Sequence, residues 1–185
     1  LDSIELRSKW ATVKKSMKTI KKIASGPARE AQARALMALF ELLHADIVQS
    51  MLQPDCSEEE FERRQQRVEK MGFDVGGKMV SRAMREKPRF TRELEKVKFV
   101  CTDFWQLLFR KKVNKLQTNH RGTYVLHDDS FEWVRRLSGE DGGERFLTFA
   151  CGLVRGALGA LGLTVVVTPT ITTLPTCTFQ CKIVS

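Results

Sequence analysis

The chain has 185 residues, 42% of them hydrophobic and 29% charged, which is enough for one compact domain with its own hydrophobic core. Its formal net charge of +9 favours acidic partners, namely nucleic acid, anionic lipid or an acidic protein face. Five cysteines are an odd number in a chain of this size with no secretory signal, which excludes a disulfide-stapled scaffold and makes reduced thiols the expectation.

The charge is uneven. Residues 1–35 hold nine Lys/Arg against three Asp/Glu, a net of +6 that leaves the rest only mildly basic. Within residues 4–24, Leu6, Trp10, Val13, Met17 and Ile20 recur at helical spacing among lysines. Two readings stand. One is a basic amphipathic helix on an anionic membrane, with Trp10, Lys14, Lys18 and Lys21 as contacts. The other is a solvated or disordered tail. Gly26-Pro27 then breaks the pattern. The chain begins with Leu, so it can be a fragment. Residues 1–36 are taken as an N-terminal extension and 37–185 as a single domain.

Residues 32–52 predict the first strong helix. Its apolar positions spread over roughly 280° of the helical wheel, against about 100° for an ordinary surface helix. Such a helix is expected to be buried on two sides, once by its own domain and once by a partner; the alternative is a central helix enclosed by its own chain. Ser57 followed by Glu60 forms a capping box for a second helix. That helix is expected to reach about Lys70, to meet a turn or close packing at Gly72, Gly76 and Gly77, and to resume to about Glu86. A third helix, about 91–117 and capped by Thr91, carries large apolar residues from Leu94 to Val113 and should be the central core helix.

Gly122–Leu126 then reads as a strand, His127–Ser130 as a turn, and Phe131–Arg135 as the returning strand. Residues 144–162 predict a fourth helix, whose glycines allow tight packing against a sheet or another helix. Arg155 in its middle argues against a membrane span. Thr164–Thr168 is a β-branched strand, and Cys177, Phe179, Cys181 and Ile183 alternate with polar residues in a half-exposed last strand. The order implies an α+β fold: a helical layer of three long helices, plus one between hairpins, on a small twisted antiparallel sheet of about four strands.

No chemistry emerges from the spacing. Cys177 and Cys181 share a strand face about 13 Å apart, too far for one metal. His44, His120 and His127 have no ligand spacing, so no metal and no cofactor is expected. His127-Asp128-Asp129 is more simply a polar turn than an acid–base pair. No phosphate loop, catalytic triad or nucleic-acid signature is present. A non-catalytic binding or scaffold protein is expected, with no nucleic-acid partner.

Several stretches resemble the TRAPP small-subunit family, that of subunits 3, 5 and 6, and most of all its subunit 6 branch. They are Leu39–His44, Met71–Gly76, Lys98–Trp105, Leu116–Leu126 with Asn119, His120 and Gly122, Phe149–Gly156 with Cys151, Gly152, Arg155 and Gly156, and Leu174–Gln180. In order, they cover nearly all of residues 37–185. The resemblance implies a helical layer on an antiparallel sheet. It implies a structural subunit of the TRAPP vesicle-tethering and Rab nucleotide-exchange complex in ER-to-Golgi and Golgi transport. It further implies a heterodimer with subunit 3 through the first helices, contacts with other TRAPP subunits and an indirect link to a Rab-family GTPase. The expected location is cytoplasmic, peripheral at cis-Golgi and endoplasmic reticulum membranes. Leu36, Phe40, Leu43, Ile47 and Met51 are the candidate seam by their place on the wheel. Subunit 3 carries an acylated cysteine after its glycine-marked helix; Val75–Phe90 has no cysteine, so no acyl chain is expected there. An alternative within the superfamily is a sensor of small apolar ligands or haem, with His44 or His120 as axial ligand.

Overall fold

The computed structural model describes residues 27–185 apart from 54, 86–89, 136, 138–142 and 185; the side chains of 27–30, 32–34, 36, 37 and 40 are also outside it. The extension and its residues Trp10, Lys14, Lys18 and Lys21 therefore lie outside the described residues. The chain separates into two compact units, residues 1–46 and 47–185. The described part of the first unit is helical, the leading portion of α1 (Pro27–Met51).

The second unit holds everything else. Helix α2 spans Glu58–Ala83. Ser57 caps it as expected, its Oγ accepting the Glu60 N–H at 3.3 Å, with three glutamates in the first turn facing the helix dipole. No turn occurs at Gly72–Gly77. The helix runs through it, so the close-packing option applies.

Next comes one helical run in three parts: α3 (Glu93–Phe99), a π-helical turn (Val100–Phe104) and α4 (Trp105–Phe109). The cap is Arg92 rather than Thr91, with Glu95 accepting the Arg92 N–H at 3.5 Å. The wider π turn releases backbone groups from the helical ladder; the Cys101 carbonyl accepts the N–H of Val113 at 2.9 Å instead. Arg110 ends the run in the left-handed region, φ 58°. The helix is thus shorter than the expected 91–117, and part of that range becomes strand β1 (Lys115–Thr118).

Strand β1 pairs with β2 (Thr123–Asp128), and β3 (Val165–Thr173) pairs with β4 (Thr176–Ile183). The sheet is antiparallel with order β1-β2-β4-β3, so the last strand of the chain is central. Among the described residues there are four strands, in line with the expected number of about four, but one of them is not where the alternation placed it. Phe131–Arg135 contains a 3₁₀ turn, Glu132–Val134, instead of a strand. Phe131, Trp133 and Val134 are all buried there, and Phe131 and Trp133 join Trp105, Phe109 and Phe179 in an aromatic cluster with ring centroids 4.8–6.1 Å apart. A second 3₁₀ turn (Gly143–Leu147) leads into α5 (Thr148–Ala160), which packs on α2 and on β3.

One face of the sheet is core. Tyr124, Leu126 and Asp128 of β2 lie opposite Cys181, Phe179 and Cys177 of β4, and all six are buried. His127 and Asp128 are therefore strand residues, which corrects the turn expected at 127–130. Asp128 is fully buried. It accepts hydrogen bonds from Trp105 Nε1 at 2.8 Å and the Ser130 N–H at 3.0 Å, and is ion-paired to Lys111. It ties α4, the following loop and β2 together. Asp128→Ala would strand the indole N–H in the core and remove the charge pair, whose lysine is 30% exposed and can turn to water. The expected loss is about 3 kcal/mol, read by urea unfolding. Asp128→Asn keeps an acceptor and should lose only about half as much.

Candidate functional site

Among the described residues no group of three His, Cys, Asp or Glu could hold a metal. Cys101, Cys151, Cys177 and Cys181 are buried free thiols. Burial pushes Cys101 and Cys181 up to about 12, so they pack as small apolar residues. No helix of the described residues is long and apolar enough to cross a membrane.

Helix α1 offers the most exposed apolar surface. Leu39, Leu42 and Leu43 are 62%, 63% and 55% exposed. At 100° per residue they occupy an arc of about 100° on one side of the helix. Val48 and Leu52 are fully buried and His44 nearly so. These three follow at intervals of four, along a stripe centred roughly opposite to the leucines. The wide apolar arc thus divides into a covered side and an open one. Of the candidate seam, Leu43 lies on the open side and Ile47 and Met51 are half-buried between the two. The side chains of Leu36 and Phe40 are outside the described residues. Leu39 and Leu42 belong to the open side and were not selected from the sequence, because the wheel alone does not say which part of a wide arc the chain's own core takes.

His44 is buried, and desolvation lowers its pKa from 6.5 to about 4. The folded state therefore holds it neutral while the unfolded chain protonates it below pH 6.5. Stability is unaffected above that value and falls as the pH drops from 6.5 towards 4, by at most about 3 kcal/mol. A His44→Leu variant should lose this slope between pH 6.5 and 4 in urea titrations; an unchanged slope would assign it to other groups. His120, the other histidine weighed as a haem ligand, is an exposed turn residue at φ 56°.

The motif residues divide between two structural devices. In the β1–β2 turn, Asn119 Oδ1 accepts the N–H groups of Arg121 at 2.8 Å and Thr123 at 3.1 Å. His120 donates its N–H to Thr118 Oγ1, and Gly122 adopts φ 80°, where a side chain would be strained. Cys151, Gly152, Arg155 and Gly156 lie on α5 where it crosses α2. Gly72 and Gly76 of α2 face Gly152 and Gly156 of α5 so closely that a Cβ at any of the four would overlap a carbonyl oxygen of the other helix. Arg155 pairs with Glu69 at 2.9 Å and lies over the Phe73 ring, which fastens the edge of this crossing.

A family model described as "Transport protein particle (TRAPP) component" matches residues 40–184. The chain belongs to the TRAPP component family. It is similar to zebrafish (Danio rerio) trafficking protein particle complex subunit 6b, with 41% identity over 150 residues, 79% of this chain and 96% of that protein. The human subunit 6B is 38% identical over 151 residues, again 79% of this chain and 96% of that protein. The human subunit 6A is 40% identical over 148 residues, covering 77% and 93%. The fold is also that of a solved Naegleria fowleri trafficking protein particle complex subunit 3, a structure described as covalently bound to palmitic acid. The TM-score is 0.65 at 13% identity, over 82% of this chain and 97% of that one. The TRAPP match begins at Phe40, on the helix with the open leucine face, and takes in the turn, the crossing and the last strand. The motif residues of this TRAPP chain thus lie in the β1–β2 turn and at the α2–α5 crossing, while the three most exposed of its large apolar residues among those described are the leucines of α1.

Proposed function

We propose that the chain is a non-catalytic assembly subunit of the TRAPP vesicle-tethering and Rab nucleotide-exchange complex, and that it heterodimerises with subunit 3 through α1. Residues 37–185 form the subunit and residues 1–36 an extension to it. The observation that supports this most is the open leucine face. Covering Leu39, Leu42 and Leu43 contributes about 1–2 kcal/mol each, since each is already partly shielded. Association costs at least about 4 kcal/mol, so the seam also draws on Ile47 and Met51, with Leu36 and Phe40 extending it towards the N-terminus. The names of the subunit 6 relatives support membership of the complex. The ER-to-Golgi and Golgi setting, at the cytoplasmic surface of those membranes, belongs to the same reading, as does an indirect link to a Rab-family GTPase. The absence of a cysteine from Val75 to Phe90 of this chain supports a subunit that, unlike subunit 3, carries no acyl chain there.

Size-exclusion chromatography of the purified chain with subunit 3 tests the reading. A single peak at the mass of a one-to-one complex is expected, and two separate peaks would end it.

A further inference from the structure

The face of the sheet turned away from the core carries a second surface. Because Tyr124, Leu126 and Asp128 point inward, the intervening residues point outward, and the register extends this across all four strands. The outward positions are Lys115 and Gln117 on β1, Thr123, Val125 and His127 on β2, Thr178, Gln180 and Lys182 on β4, and Val166, Thr168 and Thr170 on β3. None is a carboxylate. The only acid in the four strands is the buried Asp128. An open depression of about 450 Å³ lies over β1 and β2, lined by Gln117, Thr118, Asn119, Thr123 and Val125. His127 Nε2 lies 2.8 Å from Gln117 Oε1, which leaves the Gln117 amide N–H groups for another acceptor. Lys182 stands opposite Thr123 at one end of the depression, and Lys115 stands opposite His127 beyond the other. Both lysines are exposed, as is Arg121 in the adjoining turn.

We propose that this face docks an extended acidic segment of another polypeptide, laid diagonally across β1, β2 and β4. The inference rests on the reading of the chain as a subunit of a larger complex. The two lysines are separated by four residues along the strands and two strands across, so their Cα atoms are about 17 Å apart. An extended chain covers that distance in about five residues. The segment therefore carries two carboxylates spaced about five residues apart, with the amides and hydroxyls of the depression bonding to its backbone between them. A lipid surface fits less well. A near-surface cation strengthens attachment to an anionic leaflet only about fivefold. Three of them give roughly 10² M⁻¹, against about 10⁴ M⁻¹ for one myristoyl chain, itself a marginal anchor. Val166 is the one strongly exposed apolar residue on the face, and no aromatic residue accompanies it.

Lysine acetylation rates in the natively purified complex, read by mass spectrometry, test the proposal. Lys115 and Lys182 should acetylate at least fivefold more slowly than in the unfolded chain, without added lipid. A zero-length carbodiimide should link both to Asp or Glu residues of one segment, about five apart. Lys115→Glu/Lys182→Glu should abolish the links at unchanged thermal stability, since both positions are exposed. Unprotected lysines in an intact complex would overturn the proposal, as would protection without carboxylate links. Protection only after addition of vesicles of 70% phosphatidylcholine and 30% phosphatidylserine would assign the face to the membrane instead. A chain that purifies alone would overturn both this proposal and the assembly reading.

Discussion

Replacing Gly156 by alanine should lower stability by about 3 kcal/mol, while the same change three residues on, at Gly159, should raise it by up to about 1 kcal/mol. Alanine is the better helix former by about that amount at either position, so the opposite signs come from what the new methyl group meets. At Gly156 it would overlap the Phe73 carbonyl oxygen and come within 2.7 Å of its carbon, both rigid backbone atoms. At Gly159 it would meet only the Phe73 ring, at 3.5 Å, an ordinary contact. No rotamer change relieves the first clash, so α2 and α5 have to move apart along their whole crossing, at the upper end of the usual 1–3 kcal/mol for overpacking. For a chain of this length the predicted shifts are a Tm lower by about 6–12 °C for Gly156→Ala and higher by a few degrees for Gly159→Ala. Gly152→Val/Gly156→Val, with branched side chains at two successive turns of the crossing, should not fold. Equal Tm values for the two alanine variants would mean that the crossing is looser than the backbone indicates.

The same glycines show what the sequence could convey. Gly72, Gly76 and Gly77 mark either a turn or a close approach, and their spacing suits both. The decision comes from Gly152 and Gly156, about eighty residues away in sequence. Once both sets lie at one crossing, the gain in packing outweighs the roughly 1 kcal/mol that each glycine costs a helix. The last strand was legible because Cys177, Phe179 and Cys181 alternate with polar residues, and these three are buried. Strand β1 was not, since its four residues hold a single apolar side chain, Leu116. The end of the third helix was hidden too: Arg110 takes the left-handed conformation usually left to glycine or asparagine. Phe131–Arg135 misled because residues 131 and 133 are apolar and 132 and 135 charged, as in a short strand, whereas in the 3₁₀ turn Val134 is buried with them, aligned with Phe131 at a spacing of three. At the candidate interface, the width of the apolar arc on α1 was visible. The division into sides was not, since it depends on where Val48 and Leu52 meet the core.

That division makes the largest effect on association predictable. Leu42→Glu/Leu43→Glu should abolish co-elution with subunit 3 while leaving the thermal unfolding of the isolated chain within a few degrees of the parent. Both leucines are more than half exposed in the chain alone, so glutamates there remain solvated and cost little. In a covered seam each would be an unpaired buried charge in place of a leucine. A combined loss of at least about 4 kcal/mol, or roughly a thousandfold in Kd, follows. Val48→Glu, one turn along the same helix but fully buried, should do the reverse and unfold the chain before any partner is added. The contrast separates a binding face from a folding face. Co-elution of the Leu42→Glu/Leu43→Glu chain with subunit 3 at the parent affinity would move the interface off α1. Collapse of that variant on its own would show that the leucines already serve the chain's own core, leaving no open side for a partner to cover.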